Sequence, residues 1–252
     1  MKLAAIYNVW DGVELLEGSI DCIAKDVDVI IIVWQRVSNF GGFFDPFPAI
    51  EKIVSKYPTK AFGLSKYIPE QNKGGAYNEK KKRNIGLDLA KFSGCTHFLH
   101  LDCDEYYEDF AAAKKQYIDS QIPGSVCKII TYFNKPTYQL DGLDNYYVPF
   151  IHELKADTVA GERNYPFYVD PTRRINEKYV ICLATVMHHF SYVRENIMRK
   201  VNNSSAKANI ERMDLMADYF IVEEMANPEG YFVKDFDKKI KIVENKFNIS
   251  VC

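Results

Sequence analysis

Residues 96–107, THFLHLDCDEYY, decide the fold. Phe98, Leu99 and Leu101 make an apolar run that delivers Asp102, Cys103, Asp104 and Glu105 into a turn, the pattern of a buried strand ending on carboxylates. Immediately before it, KGGAYNEKKKRNIGLDLAKFSG (73–94) sets Ile85, Leu89 and Phe92 on one helical face, with Gly94 as its stop signal. The unit is therefore a helix followed by a strand.

The same alternation runs back to the amino terminus. KLAAIYNVW (2–10) is a short buried strand, and GVELLEGSIDCIAK (12–25) spaces Val13, Leu16, Ile20 and Ile23 at helical intervals. VDVIIIVWQ (27–35) is too β-branched and too short for a helix and suits an interior parallel strand. RVSNFGGFFDPF (36–47) is a loop ordered by its rings, and AIEKIVSKY (49–57) is a helix ended by Pro58. Alternating strands and helices predict an α/β fold with a doubly wound, mostly parallel sheet whose ligand sits at the carboxyl ends of the strands, where Asp102 and Asp104 fall. The remainder is less regular. It holds a helix near 108–120, a strand SVCKIITYF (125–133), a Tyr- and Pro-rich stretch through 171, a strand KYVICLATVMHHF (178–190), and helices beyond 194.

Composition narrows the function. The 252 residues carry a formal net charge of -2, so there is no overall positive field for nucleic acid or anionic lipid. The six cysteines lie far apart without a CxxC pair, which reads as reduced thiols. The start MKLAAIYNVWDG is unlike a secretory signal, and no run reaches the roughly 18 to 20 apolar residues of a membrane span, so a cytoplasmic location is expected.

Hard divalent cations take oxygen ligands, and Mg²⁺ uses one or two carboxylates plus substrate phosphates. The turn after residue 101 meets that need, although an acidic turn also caps helices. KKKRNIGLDLAKFSGCTHFLHLDCDE (80–105) resembles the segment of family 2 glycosyltransferases in which an Arg-Asn-x-Gly helix precedes a strand ending in Asp-x-Asp. IYNVWDGVELLEGSIDCI (6–23) resembles the opening strand and helix of that family, with Asn8 and Asp11 in place of its Asn-Glu-like pair. VMHHFSYVRENIMRKVNNSS (186–205) is similar to the histidine-plus-basic-helix segment of enzymes with this GT-A fold.

The resemblance implies a Rossmann-like sheet of GT-A type in a single domain with an irregular acceptor-side region. It divides into a nucleotide-sugar half (1–105), an acceptor and metal half (106–205) and a C-terminal helical segment (206–252). It further implies a metal-dependent glycosyltransferase that moves a sugar from a nucleotide-sugar, UDP-linked by preference, to a hydroxyl acceptor such as a glycan. Asp102, Asp104 and His188 are its expected ligands for Mn²⁺ or Mg²⁺. Tyr7, Asn8, Gln35, Arg83, Asn84, Asp102 and Cys103 are expected to shape the donor pocket, while Arg194 and Lys200, with Arg199, neutralise the diphosphate. Gln35 stands where the family strand usually ends in Asp, which leaves the donor base open.

His188 and His189 should point to opposite faces of their strand, and Lys80, Lys81 and Lys82 are read as surface. Transfer with inversion needs a carboxylate base, for which Glu153 and Asp170 are the two candidates. Tyr132, Tyr138, Tyr146, Tyr147, Tyr165, Phe167 and Tyr168 are mostly core filling. With Arg163, Arg173 and Arg174 they would suit a modified nucleic-acid base as acceptor, against which the balanced charge weighs. Two alternatives stay open. One is a sugar-phosphate nucleotidyltransferase, whose glycine-rich opening this chain lacks; the other is a non-catalytic carbohydrate-binding relative.

Overall fold

β2 (Val29–Trp34) is buried along its whole length, as a strand covered on both faces must be. β1 (Leu3–Val9) and β3 (Ala61–Lys66) flank it in parallel, and β4 (His97–Asp102) runs parallel on the far side of β1. The chain thus steps outward from β1 to β3 and returns to the opposite side of β1. Its connections diverge between β1 and β4, which opens a crevice at their carboxyl ends. The computed structural model describes residues 1–161, 165, 167–203 and 213–251; Arg163, Ser204 and Ser205, named above, lie outside the described residues.

Helices cover both faces. α1 (Val13–Ile23) and α2 (Phe47–Ser55) bring Leu16, Ile20, Ile50 and Ile53 onto Ile30 and Ile32. On the other face α3 (Gly75–Phe92) sets Leu87 and Ala90 against the cluster holding Ile6 and Ile31. Truncating the fully buried Ile31 to Ala would cost about 2 to 5 kcal/mol. α3 lies so close that a β-carbon at Gly86 would fall 2.2 Å from Ile6 Cγ2.

The helical face differs from the expected one. Ile85 and Leu89 are only partly buried and Phe92 is 92% exposed, while Asn78, Lys82, Arg83, Gly86, Leu87 and Ala90 face the sheet. A shift of one residue rotates a helix by about 100°. Here the buried stripe carries polar residues, so the apolar positions marked its edge rather than its centre.

Beyond β4 the largely parallel centre continues as an antiparallel extension. β5 (Glu105–Tyr107) and α4 (Phe110–Ser120) follow the acidic turn. β6 (Gly124–Phe133), β7 (Tyr138–Leu140) and β8 (Tyr147–Glu153) then extend the sheet, with β8 antiparallel to β4. β9 (Val180–Tyr192) pairs in parallel with β6 and antiparallel with β5. After α5 (Ile197–Asn203) and α6 (Met213–Glu224), the region expected to be helical instead gives β10 (Phe232–Val233) and β11 (Lys238–Ile242). β11 joins β7 through Ile240 opposite Leu140, which completes a sheet of 11 strands among the described residues. The single apolar residue facing inward in KKIKI is a faint strand signal, and β3, an edge strand with Gly63 at its middle, is equally faint. No helix among the described residues is long and apolar enough to cross a membrane.

Candidate active site

Asn8 near the end of β1 lies directly opposite Asp102 at the end of β4, so the crevice between these strands opens onto the acidic turn. A cavity of about 230 Å³ occupies it, lined among others by Asn8, Gln35, Lys82, Asp104, Arg194 and Lys200. A larger cavity of about 880 Å³ opens beside α4 and receives His188, but none of the residues 102–105 lines it.

The carboxylates of the turn sit among three buried arginines and the half-buried Lys200. Arg173 Nη2 lies 2.5 Å from both Asp102 Oδ2 and Glu105 Oε1, and Arg83 Nη2 reaches Asp102 Oδ1 at 3.5 Å. Glu105 Oε2 accepts from the backbone N–H of Asp102 at 3.1 Å. Arg194 donates to Asp104 Oδ2, and Lys200 Nζ stands 3.7 Å from the same oxygen. Desolvation opposes ionisation of Asp104, yet Arg194 and Lys200 pull its pKa down to about 2. Asp102 is likewise held far below the usual carboxylate range, because Arg173 and Arg83 overcome its desolvation. Glu105 moves the other way: burial, with the neighbouring charge of Asp102, outweighs Arg173 and raises its pKa.

β9 delivers the histidines by register. Glu105 pairs with His189 and Tyr106 with His188, so the two rings face opposite sides. His189 Nε2 lies 3.8 Å from Asp104 Oδ1. His188, the ring expected at the metal, instead points away from Asp102 and Asp104: its Nδ1 is 2.9 Å from the Tyr132 hydroxyl and its ring meets Phe247. The parity of β9 against β5 sets this correction. Arg194 follows β9 and lies against Gly12, the residue before α1. Gly12 has φ +78°, and a β-carbon there would fall 1.8 Å from a guanidinium nitrogen. Only glycine combines that backbone with that approach.

The other expected site residues separate into two groups. Asn8, Gln35, Cys103 and Asp170 line the cavity, and Asn8 Oδ1 and Gln35 Oε1 are buried without a hydrogen-bond partner among the described residues. The Cys103 thiol is pushed well up by burial and then by the charge of Asp104, so it stays protonated. Tyr7 belongs elsewhere: it is fully buried among Leu16, Leu99 and their neighbours, with its hydroxyl 3.0 Å from Ser19 Oγ, because alternation along β1 turns it from Asn8's face. Arg83 is 1% exposed and acts from beneath Asp102, not from the cavity wall. Asn84 is engaged in structure, accepting from Ala160 N at 2.9 Å and donating to Lys80 O at 2.9 Å.

Glu153 lies at the wrong end of the sheet. It pairs with His97 at the start of β4, five residues before Asp102, a displacement of about 16 Å at 3.3 Å per residue, and its carboxylate meets Lys155 at 3.4 Å. Asp170 is well situated by contrast. A second cavity, of about 100 Å³, is lined by Tyr146, Tyr147, Arg173 and Met187, and it shares Asp102, Asp170 and His189 with the first. Asp170 therefore stands where the two meet. Its Oδ1 accepts from the Thr172 N–H and hydroxyl at 2.7 and 2.9 Å. Of the other aromatic residues, Tyr132 and Tyr138 are core and Tyr168 is 68% exposed.

Three polar residues hold places that the sequence reading does not give them. Lys82, read as surface, is 6% exposed and lines the cavity, and burial lowers its pKa. Its place four residues before Gly86 and eight before Ala90 was the signal. Arg173 and His189 had no comparable signal, since each reaches the turn by tertiary contact alone.

Asp104, Glu105 and His189 each offer a ligand atom within 4.8 Å of the others. Asp104 Oδ1 is buried and lacks a hydrogen-bond partner. Two carboxylates and an imidazole suit Mn²⁺ or Mg²⁺ with open positions for substrate, so the residues fit a divalent cation.

No family model and no curated protein matches the chain. Solved structures similar to it include S. aureus TarS 1–349, at 16% identity and TM-score 0.46 over 88% of this chain and 71% of that one. TarS 1–349 in complex with UDP-GlcNAc is similar at 19% identity and TM-score 0.39, over 54% of this chain and 36% of that one. The mannosyltransferase PcManGT from Pyrobaculum calidifontis, in complex with GDP-Man and Mn²⁺, gives 17% identity and TM-score 0.37 over 54% and 36%. This chain thus spans about a third of the length of the last two, at 36% each. With TM-scores below 0.5, these likenesses carry neither residue roles nor an activity to it.

Proposed function

We propose that this chain is a glycosyltransferase that binds a nucleotide-sugar in the crevice between β1 and β4 and transfers its sugar to a hydroxyl group. The observation that carries the reading is one cavity holding both halves of a metal-diphosphate site. Asp104, with its unpartnered buried oxygen, and His189 line it together with the cations Lys82, Arg194 and Lys200, and Glu105, the third residue of the donor set, lines the adjoining cavity.

Asn8 and Gln35, with unpartnered oxygens facing the crevice, hydrogen-bond the nucleoside, in our reading a uridine. Lys82, Arg194 and Lys200 bear the negative charge of the diphosphate as the sugar bond breaks. A bound Mn²⁺ or Mg²⁺, held by Asp104 and His189 with Glu105 alongside, would supply Lewis-acid stabilisation of the leaving group. Asp170, between the two cavities, accepts the proton of the acceptor hydroxyl as it attacks the anomeric carbon with inversion. The second cavity, walled by Tyr146 and Tyr147, then receives the acceptor.

The test is a thermal-shift series with UDP, GDP, CMP, dTDP and ADP, each with and without Mn²⁺, followed by detection of nucleoside diphosphate released from the matching nucleotide-sugar. A metal-dependent rise with one nucleotide, and release of that diphosphate, is expected. No shift with any of the five would overturn the reading, and pyrophosphate release from a nucleoside triphosphate and a sugar phosphate would replace it with nucleotidyl transfer.

A further inference from the structure

The carboxylate cluster is already neutralised from within. Asp102, Asp104 and Glu105 face Arg83, Arg173, Arg194 and Lys200 within 4 Å, so the cations outnumber the carboxylates before any metal enters. Arg173 is the central one. It is 5% exposed, and a single nitrogen bridges Asp102 and Glu105 at 2.5 Å each. Glu105 Oε1 is taken by Arg173 and Oε2 by the Asp102 N–H, while Asp102 Oδ2 is taken by Arg173 and Oδ1 lies 3.5 Å from Arg83. Among the described residues, Asp104 Oδ1 is the carboxylate oxygen of this cluster left without a hydrogen bond.

Adding a dication to such a cluster is electrostatically unfavourable unless a guanidinium withdraws or an anion arrives with the metal. Arg173 is the group able to withdraw. It sits on the turn Asp170–Arg173, whose N–H donates to Asp170 O at 3.0 Å, and it borders the second cavity. Arg83, by contrast, lines neither cavity, and Arg194, which lines the first, is packed against Gly12.

We infer that Arg173 is a positioning residue that ties Glu105 to Asp102 in place of the divalent cation, and so makes metal binding conditional on the diphosphate that enters with it. The inference rests on the proposed metal-diphosphate site. The two ligands are then linked: each raises affinity for the other, because the metal frees a guanidinium for the anion and the anion offsets the metal's charge. With Arg173 removed, that condition lapses and the carboxylates attract the cation directly.

The test is titration of the full chain with Mn²⁺ alone, followed by loss of the free-ion electron paramagnetic resonance signal, for the unaltered protein, Arg173→Met and Arg173→Lys. Arg173→Met is expected to bind Mn²⁺ at least about ten-fold more tightly, and Arg173→Lys, which keeps the charge, to resemble the unaltered protein. A purely structural role for Arg173 would weaken metal binding on removal, not tighten it. Equal or weaker Mn²⁺ binding by Arg173→Met, or no binding by either protein, overturns the inference. Should Arg173→Met fail to fold, Arg173→Gln carries the same expectation. Failure of the glycosyltransferase reading is read separately, as absence of nucleotide binding by the unaltered protein.

Discussion

Asp104→Asn tests whether the acidic turn is a functional appendage or part of the fold's electrostatic frame. The sequence alone, which suggests an exposed turn, predicts loss of transfer with thermal stability nearly intact. The structure changes that expectation, since Asp104 is 2% exposed and pairs with the buried Arg194. Its pKa is lowered from 3.8 to about 2, and at about 1.4 kcal/mol per unit this corresponds to about 2 kcal/mol of stability. The sign follows from the lowered value: the contribution is complete above the unfolded carboxyl pKa and disappears as pH falls through about 2. Asparagine keeps an acceptor but not the charge, so the variant should lose about 2 to 3 kcal/mol at pH 7, seen as a lower urea midpoint with an unchanged slope. In a chain of this size the melting temperature should fall by roughly 5 to 10 °C. A variant that melts within 1 or 2 °C of the parent, in assays resolving about that difference, would refute the electrostatic accounting.

Asp170→Asn should lower transfer by roughly 10² to 10⁴-fold with nucleotide binding retained, whereas Glu153→Gln should turn over like the parent; equal losses would discard Asp170 as the base. His189→Ala should weaken Mn²⁺-dependent nucleotide stabilisation, and His188→Ala should leave it unchanged while lowering the melting temperature through the lost Tyr132 contact; the reverse order in a thermal-shift assay would mean that the strand parity is wrong. Burial depresses the pKa of both His152 and His188 to about 4, so the unfolded chain takes up protons first as pH falls from 6.5. Each should cost about 2 kcal/mol at pH 5 relative to pH 8, and a flat stability profile by urea denaturation across that interval would contradict the depression.

What the sequence discloses tracks how completely an element is covered. β1, β2 and β4 are buried on both faces, so they appear as apolar stretches, broken in β4 by His100. β3, β7, β10 and β11 are short or lie toward the sheet's margins, and their partial burial leaves no such run. α3 was found but turned on its axis, because its buried stripe holds Asn78, Lys82 and Arg83 where hydropathy expects apolar residues. Asp102 and Asp104 were legible because a strand and the turn that follows it are local. The partners that set their chemistry were not. Adjacent histidines carry no mark of which faces inward, and only the β5–β9 register selects His189. Glu153 and Asp170 looked equivalent as loop carboxylates until the pairing of β8 with β4 put one of them at the opposite end of the strand.

The pairing of β9 with β5 also bears on how the protein assembles. Arg173 and Arg194 lie 71 and 90 residues beyond the aspartates they neutralise. Both arginines follow β4 in the chain, so during synthesis these contacts form only after the strands of the β1-to-β4 layer have emerged. Until they form, the acidic turn holds like charges together with Arg83 beside Asp102 as its counter-ion from within that layer, and Asp104 must remain in water. A chain emerging from the ribosome can therefore complete the β1-to-β4 layer well before it can bury the turn at its edge, and the two halves of the protein mature in that order.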